Sequence, residues 1–235
     1  RPKASLFWSG IAAGMMISLS VLGEAIFRTY LPDTPWRYLL ENLGYSLGFI
    51  VVLLGSMQLF TENTITTVLP VMRDPSPSMF QQVGMLWFIV LFANVIGAFI
   101  AAAAFAYGSF IPAALLPAIT ELSEHATGFA ASEAFQRAIP AGVIIAAIVW
   151  MLPKSEGFEL FLIMIFTWLI AAGDFTHIVA GSVEMAFLMV QGTLPLHIAM
   201  WNFFLPVLAG NILGGTVIFA LLSFGQVRHE LPQKK

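Results

Sequence analysis

The sequence has no cysteine and little charge. None of its 235 residues is cysteine, and Asp, Glu, Lys and Arg together make up only 10% of the chain. Without cysteine there are no disulfides, thiolate metal sites, iron–sulfur clusters or cysteine nucleophiles. A soluble domain carries about 25% charged residues, so these charges are too few to cover the surface of a compact soluble body. A soluble enzyme and a disordered chain are both disfavoured.

Positive charge is scarce as well. Ten Lys and Arg residues stand against thirteen Asp and Glu, for a net charge of −3, so the basic balance typical of nucleic-acid binding is absent. We expect no nucleic-acid partner. Hydrophobic residues make up 59% of the chain, and the mean hydropathy is +0.88. We therefore predict an all-α membrane protein in a lipid bilayer, with one polytopic domain over residues 1–235.

Six apolar stretches are long enough to cross a bilayer, whose core takes about 20 residues of helix. The second and fifth stretches are longer than one crossing, and each has a polar interruption, at residues 61–67 and 174–177. Such interruptions survive at membrane depth only when they are buried in protein or line a cavity, and paired broken helices are typical of transporter sites. We place the spans at approximately 6–27, 43–72, 84–108, 136–153, 158–190 and 197–224.

The two halves of the sequence correspond. An Asn-x-x-Gly motif at Asn94 recurs at Asn211, 117 residues later, and a Phe-Thr pair at Thr61 recurs at Thr176, 115 residues later. Each half then holds three spans, and an odd number of spans inverts the second half relative to the first. We therefore predict an inverted 3+3 repeat with broken helices two and five. The repeats cover approximately residues 6–108 and 136–224.

The distribution of Lys and Arg orients the spans, because positive residues favour cytoplasmic loops. With the N-terminus inside, the outer side holds three of the ten, Arg28, Arg37 and Arg137. We predict a multi-pass protein of a bacterial inner membrane with both termini in the cytoplasm. The inner residues are Arg1, Lys3, Arg73, Lys154, Arg228, Lys234 and Lys235.

His177 is the first candidate for a functional side chain. It lies at the interruption of the fifth stretch, after Gly173 and Asp174. A histidine that is only hydrogen-bonded to a neighbouring helix is the structural alternative, but ionisable groups inside a membrane usually mark pathways or proton relays. Imidazole also titrates nearest to neutral pH. We expect His177 to donate to an anion or to lend it a proton.

Thr61 is the expected partner of His177, at the break in the other half. Its hydroxyl can accept from one imidazole nitrogen and fix the tautomer, although threonine also often bonds to its own backbone at a helix end. Leu59 and Phe60 come directly before this break. Their apolar side chains either narrow a pore and strip water from a solute or pack as ordinary membrane residues.

The carboxylates within the apolar stretches have two interpretations each. Glu62 is taken as the repeat counterpart of His177, since each follows a Phe-Thr pair. Glu62 and Asp174 either form a proton-linked site or cap the N-terminus of a half-helix, where the helix dipole favours negative charge. Glu184 lies two helical turns after His177, and we expect it to make a structural or subunit contact.

Two motifs are assigned to helix packing. Asn94 with Gly97 and Asn211 with Gly214 match the pattern in which small residues let membrane helices approach closely and asparagine bonds across them. No phosphate-binding loop, paired-histidine metal spacing or Ser/His/Asp arrangement is visible, and His125 is one of several isolated histidines without an assigned role. We expect no enzymatic activity, no metal and no cofactor.

Three motifs resemble those of the formate/nitrite transporter family. The sequence LFTENT at residues 59–64 is similar to the family's L-F-T-G-N-T signature, and Phe175-Thr176-His177 is similar to its F-E-H motif. PVLAGNILGG, at residues 206–215, is similar to P-V-x-x-G-N-I-x-G-G in the last span. The resemblance covers nearly the whole chain, and the divergent pattern is similar to the YfdC-type branch.

The resemblance implies an aquaporin-like protomer in a homopentamer, with one pore in each subunit. It implies transport of a small monovalent anion such as formate or nitrite, often with a proton. His177 would be the central histidine and Thr61 its partner, with Leu59 and Phe60 forming a constriction and Phe175 beside the histidine.

Five positions depart from the family pattern. Two pore asparagines of the family align with Gly142 and Gly181. The glycine of its first signature is Glu62, the Glu before the histidine is Thr176, and an aromatic residue seven positions earlier is Ile170. Because of these departures, the fold transfers from the family to this chain better than the anion substrate does.

The stretch 109–135, expected to be a loop, also departs from the family because it contains no lysine and several carboxylates. Acidic entrances repel anions, although screening over about 8–10 Å weakens the effect. Two alternatives therefore stay open. The same pore conducts a neutral or cationic solute, or the chain is a membrane scaffold or sensor that transports nothing.

Overall fold

The computed structural model describes residues 1–73 and 75–227, and these residues are almost entirely helical, with no β-strand among them. The predicted polar tail from Arg228, with Lys234 and Lys235, lies outside the described residues, as does Asp74. Five helical stretches are long and apolar enough to cross a membrane, and the remaining crossing is made of two shorter apolar helices.

The helices follow one another with short links. The first half contains α1 (Lys3–Tyr30), α2 (Arg37–Glu41), α3 (Ser46–Leu54), α4 (Phe60–Thr66), α5 (Val68–Arg73) and α6 (Pro77–Tyr107). The second half contains α7 (Leu116–Thr127), α8 (Ala131–Met151), α9 (Glu159–Ala172), α10 (Ile178–Val190) and α11, which is continuous from Leu196 to Val227 and includes two π-helical stretches.

Local sequence explains where several of these helices begin. Before α6, the Ser76 hydroxyl accepts a hydrogen bond from the Met79 N–H at 3.3 Å. Pro77 occupies the first helical position, where a backbone N–H would have no intrahelical acceptor. The prediction that residues 109–135 form a loop is wrong in part. It contains a 3₁₀ turn followed by α7, which packs against α1 and α10.

The interruption of the second span lies earlier than predicted. The chain leaves the helix after Leu54 and resumes at Phe60, so residues 55–59 form the break and residues 61–66 are helical. Leu59 and Phe60 therefore end the break and begin α4, and do not precede it. The polar side chains that suggested a break, such as Thr64 and Thr66, donate to backbone carbonyls within α4, which makes them compatible with a helix.

Asn94 of α6 holds the first break together. Its Oδ1 accepts from the Phe60 N–H at 2.9 Å, and its Nδ2 donates to the carbonyls of Gly10 and Gln58, each at 2.8 Å. Backbone groups exposed by a broken helix need partners when no water is available. One fully buried amide thus ties α1, the break and the start of α4 together.

Asn211 of α11 repeats this arrangement at the second break. Its Oδ1 accepts from the Ile178 N–H at 2.8 Å, and its Nδ2 donates to the carbonyls of Ala138 and Thr176 at 2.8 and 3.0 Å. The asparagines thus do more than the close packing that the sequence suggested, because each also satisfies the backbone of a broken helix.

The repeated hydrogen bonds correct the predicted alignment of the halves. Phe60 and Ile178 are both held by the amide oxygen of an asparagine, which makes Leu59 the counterpart of His177. Both are extended residues directly before a helix, with φ and ψ of −99° and 130° for Leu59 and −116° and 128° for His177. Glu62 is therefore not the counterpart of His177. The Phe-Thr pairs had shifted the alignment by three residues.

Within each half, two neighbouring helices approach each other closely at glycine residues. A Cβ atom on Gly14 of α1 would lie 2.0 Å from the Asn94 carbonyl oxygen, and one on Gly142 of α8 would lie 2.4 Å from the Asn211 carbonyl oxygen. Gly97 and Gly214 make the same kind of contact with the backbones of α1 and α8, at 2.2 and 2.1 Å. These glycines bring the asparagines close enough to bond across the helices.

Candidate functional site

His177 lies at the end of the second break and caps α10. Only 2% of the residue is exposed. Its Nδ1 accepts a hydrogen bond from the Ala180 N–H at 3.2 Å, and its Nε2 lies 2.8 Å from the Thr61 hydroxyl oxygen. The two breaks therefore meet at one hydrogen bond between side chains.

The backbone partner determines which nitrogen carries the proton. Because the Ala180 N–H can only donate, Nδ1 must accept, so the neutral imidazole has its proton on Nε2 and donates to the Thr61 oxygen. The hydroxyl proton of Thr61 then remains for another acceptor. A solute that reaches this point would meet the Thr61 hydroxyl as a donor, with its oxygen already held in place by the bond from Nε2.

Apolar and aromatic side chains surround the histidine. The ring of Phe49 lies 5.1 Å from the imidazole, edge to face at 72°, and Tyr45 packs on Phe49 at 5.1 Å. Leu59 and Phe60 are both buried. An aromatic ring therefore packs against the imidazole of the Thr61–His177 pair, and the two apolar residues before Thr61 are buried.

A polar cavity of about 200 Å³ leads to His177 from one side. Its charged lining consists of the carboxylates of Glu24, Glu41, Asp174 and Glu184 and the guanidinium of Arg28. Further lining residues are Tyr38, Asn42, Tyr45, Leu122, His125, Ala126, Phe129, Ala171, Phe175, Thr176, Gly181 and Phe203. The cavity is thus acidic in composition and ends at the histidine.

Ion pairs surround the outer part of this cavity. Arg28 pairs with Glu41 at 2.7 Å. Asp174 forms an ion pair with Arg137 at 2.8 Å, and its other carboxylate oxygen is hydrogen-bonded to the Nε2 of His125 at 2.9 Å. These pairs connect α1 to α2, and α7 and α8 to the second break. Asp174 thus joins the elements that surround the break and does not cap α10, because His177 occupies the capping position.

Glu24 and Glu184 also line the cavity. Glu24 is 5% exposed and Glu184 8% exposed. The sequence led us to expect a structural or subunit contact for Glu184. In the structure Glu184 lies in the wall of the cavity that also contains His177, and α10 packs against α1. Sequence reasoning did not consider Glu24, although a single carboxylate in the first apolar stretch is itself a signal of function.

The structure brings only part of the predicted pore set to this cavity. His177, Phe175 and Gly181 line it, and Thr61 reaches it through its bond to His177. Glu62 lies in the first turn of α4, outside the lining. Ile170 is fully buried, and its carbonyl accepts from the Phe175 N–H at 2.9 Å, so it anchors the break.

The two glycines that align with family asparagines have different surroundings. Gly142 faces the backbone of Asn211 and has no room for a side chain, and it is not among the residues that line the cavity. A Cβ atom on Gly181 would lie 2.3 Å from the ring of Phe203, which fills that space from α11. Phe203, like Tyr45, lines the cavity without any sequence motif to indicate it.

Broken helices that meet at a buried histidine below a polar cavity define a membrane channel or transporter. The model of the formate/nitrite transporter family matches residues 1–225, and the chain belongs to this family. It is 45% identical to the inner membrane protein YfdC of Escherichia coli, over 100% of this chain and 76% of that protein. It is 28% identical to the formate channel FocA of Haemophilus influenzae, over 92% of this chain and 84% of that protein.

The solved structure of a pentameric formate channel with formate bound has the same fold. It superposes with a TM-score of 0.82 and 21% identity, over 96% of this chain and 98% of that one. The predicted all-α membrane fold and the family are therefore confirmed. The family is one of transporters, in agreement with the expectation that the chain is not an enzyme.

Proposed function

We propose that this chain moves a small weak acid of the formate or nitrite kind across the membrane, past His177 and together with a proton. The hydrogen bond between Thr61 and His177 carries the proposal, because it places a fixed donor where the two breaks meet. The relatives support the class of solute, since they include a protein named as a formate channel.

The hydrogen bonds of His177 suggest how the proton travels. A protonated imidazole would carry hydrogen on Nδ1, which would oppose the Ala180 N–H that now donates to it. Lending a proton to the solute therefore requires breaking the cap of α10. We infer that the solute takes its proton in the cavity and passes as the neutral acid, while the Thr61 hydroxyl, held by the bond from Nε2, donates a hydrogen bond to it.

The closed region below the cavity fits this sequence of events. Leu59 and Phe60 offer no polar group to an ion, so a hydrated anion would lose its water there without compensation. A neutral acid has far less hydration to lose. This difference would make the constriction selective for the protonated solute.

The assembly and location are part of the proposal. The structural neighbour is described as a pentameric channel, and a relative is named as an inner membrane protein. We propose a homopentamer in a bacterial inner membrane, with both termini in the cytoplasm.

Uptake into proteoliposomes tests this function. Formate and nitrite uptake, measured against an inward proton gradient with empty liposomes as the control, should rise as the outside pH falls. His177→Asn is the sharpest variant, because asparagine can still cap α10 while the imidazole is lost. Its uptake should fall at least tenfold. Unchanged, pH-dependent uptake by the variant would exclude the mechanism.

The acidic cavity favours a second candidate, conduction of a neutral or cationic solute. The lining carboxylates outnumber the guanidinium groups, and such a field concentrates cations and depletes anions. Reversal potentials of reconstituted pores distinguish the two, with the lining variants Glu184→Gln and Glu41→Gln for comparison. Cation selectivity that weakens in these variants would favour the second candidate. Folded pentamers without flux of any solute would leave the scaffold or sensor.

A further inference from the structure

Three buried polar groups of the cavity lack partners. Glu24, Glu184 and Tyr45 are 5%, 8% and 7% exposed, and all three line the space above His177. Within residues 1–73 and 75–227, none of their side-chain oxygens takes part in a hydrogen bond or an ion pair that meets ordinary distance criteria. Buried polar side chains normally have such partners, so these oxygens are available to a ligand.

The nearest guanidinium is engaged elsewhere. Arg28 lies one turn after Glu24 on α1, but it forms its short contact of 2.7 Å with Glu41 and a longer one of 3.7 Å with Glu121. Glu24 and Glu184 come from α1 and α10, which pack against each other. Charge buried without compensation is strongly unfavourable, so the two carboxylates must take up either a proton or a positive charge from the cavity.

We propose that the cavity binds a small monovalent cation between Glu24 and Glu184, with the Tyr45 hydroxyl oxygen as a further ligand. All three groups supply oxygen, which suits an alkali ion or ammonium. A divalent ion fits poorly, since Ca²⁺ takes about six to eight oxygen ligands. In addition, the described part of the chain holds no group of three or more acidic or histidine side chains that is suited to a metal.

The cation would change the electrostatics of the approach to His177. Bound between the two carboxylates, it cancels part of the negative charge of the lining, so a small anion meets a weaker barrier before it takes up its proton. The site itself does not depend on the proposed function, because it rests on the unpartnered oxygens of the cavity and not on the solute that passes.

Binding to the purified full-length protein in detergent tests the site without any flux measurement. Sodium, potassium and ammonium chlorides are titrated at alkaline pH and constant ionic strength, with N-methylglucamine chloride as the balancing salt. We expect saturable heat in calorimetry, and a rise of the thermal unfolding midpoint, with at least one of the small cations.

The variants Glu24→Gln and Glu184→Gln should each weaken the apparent affinity by about tenfold or more. Glu156→Gln is the matched control, because Glu156 is exposed on the link before α9 and its loss should leave binding unchanged. Two further outcomes would exclude the site. One is a midpoint that rises equally with N-methylglucamine. The other is a folded wild type that binds none of the small cations. Higher midpoints of both cavity variants would then show that the pair shares a proton instead.

Discussion

Thr61 and His177 are 116 residues apart in the chain, and one hydrogen bond of 2.8 Å joins their side chains across the two breaks. Each half of the chain contributes one of the two residues, so the hydrogen bond forms only when the two halves are packed together. The bond also completes the hydrogen bonding of the imidazole, whose other nitrogen accepts from Ala180.

The first prediction concerns the hydroxyl of Thr61. Thr61→Val keeps the shape of the side chain but leaves the proton of Nε2 without an acceptor. An unsatisfied buried donor costs about 1–3 kcal/mol, so solute uptake by proteoliposomes should change by roughly five- to a hundredfold. Thr61→Ser, which keeps the hydroxyl, should stay close to the wild type. Equal uptake by the valine and serine variants would show that the hydroxyl has no part in the pathway.

The second prediction concerns the amide of Asn211. Asn211→Leu has a similar volume but strands the Ile178 N–H and the carbonyls of Ala138 and Thr176, which now bond to the amide. Each stranded buried group costs about 1–3 kcal/mol, so the variant should lose most of its folded yield. The thermal unfolding midpoint in detergent measures the stability of the protein that still folds. Asn202→Leu, on an exposed part of α11, should behave as the wild type, and equal midpoints for the two variants would contradict this role.

The sequence predicts much of the architecture, and the errors have physical causes. Hydrophobic stretches locate the crossings well, because length and apolar composition are sufficient to indicate a span. The position of the first break was wrong, since threonines such as Thr64 can satisfy themselves by bonding to carbonyls of their own helix. Polarity alone does not distinguish such a helix from a broken one.

The site was predicted only where motifs marked it. His177 and Thr61 stand at recognisable signatures, and both lie in the structure where the breaks meet. Glu24 and Phe203 reach the cavity from α1 and α11. No spacing within a single helix shows which neighbour that helix will face, so tertiary packing decides such positions. Gly142 illustrates the converse, because alignment with a family pore residue suggested a position in the pathway, whereas in the structure it faces the Asn211 backbone.

The third prediction distinguishes packing from a pore role at Gly142. Gly142→Ala would place its Cβ atom 2.4 Å from the Asn211 carbonyl oxygen, so α8 and α11 must separate. Overpacking of this kind costs about 1–3 kcal/mol, and the thermal midpoint should fall. Gly84→Ala on α6 meets no atom within 4 Å and gains helix propensity of about 1 kcal/mol, so its midpoint should hold or rise. A stable Gly142→Ala with altered selectivity would instead support the pore position.

The fourth prediction concerns the backbone at Asp174. Its φ is +55°, a left-handed conformation that costs an ordinary residue roughly 1–2 kcal/mol and glycine almost nothing. Asp174→Ala and Asp174→Gly both lose the ion pair with Arg137 and the hydrogen bond with His125, but only alanine keeps the backbone cost. The glycine variant should therefore be more stable, by about 1 kcal/mol in a denaturation series.

Asp33 provides the matched comparison for this last prediction. It also pairs with an arginine, Arg37 at 3.1 Å, yet it is not among the described residues with positive φ. There the order should reverse, because glycine adds conformational freedom to the unfolded chain without relieving any strain. If Asp174→Ala proved as stable as Asp174→Gly, the second break would not be held in the left-handed conformation. The ion pair and the hydrogen bond alone would then account for the role of Asp174 at the outer part of the cavity.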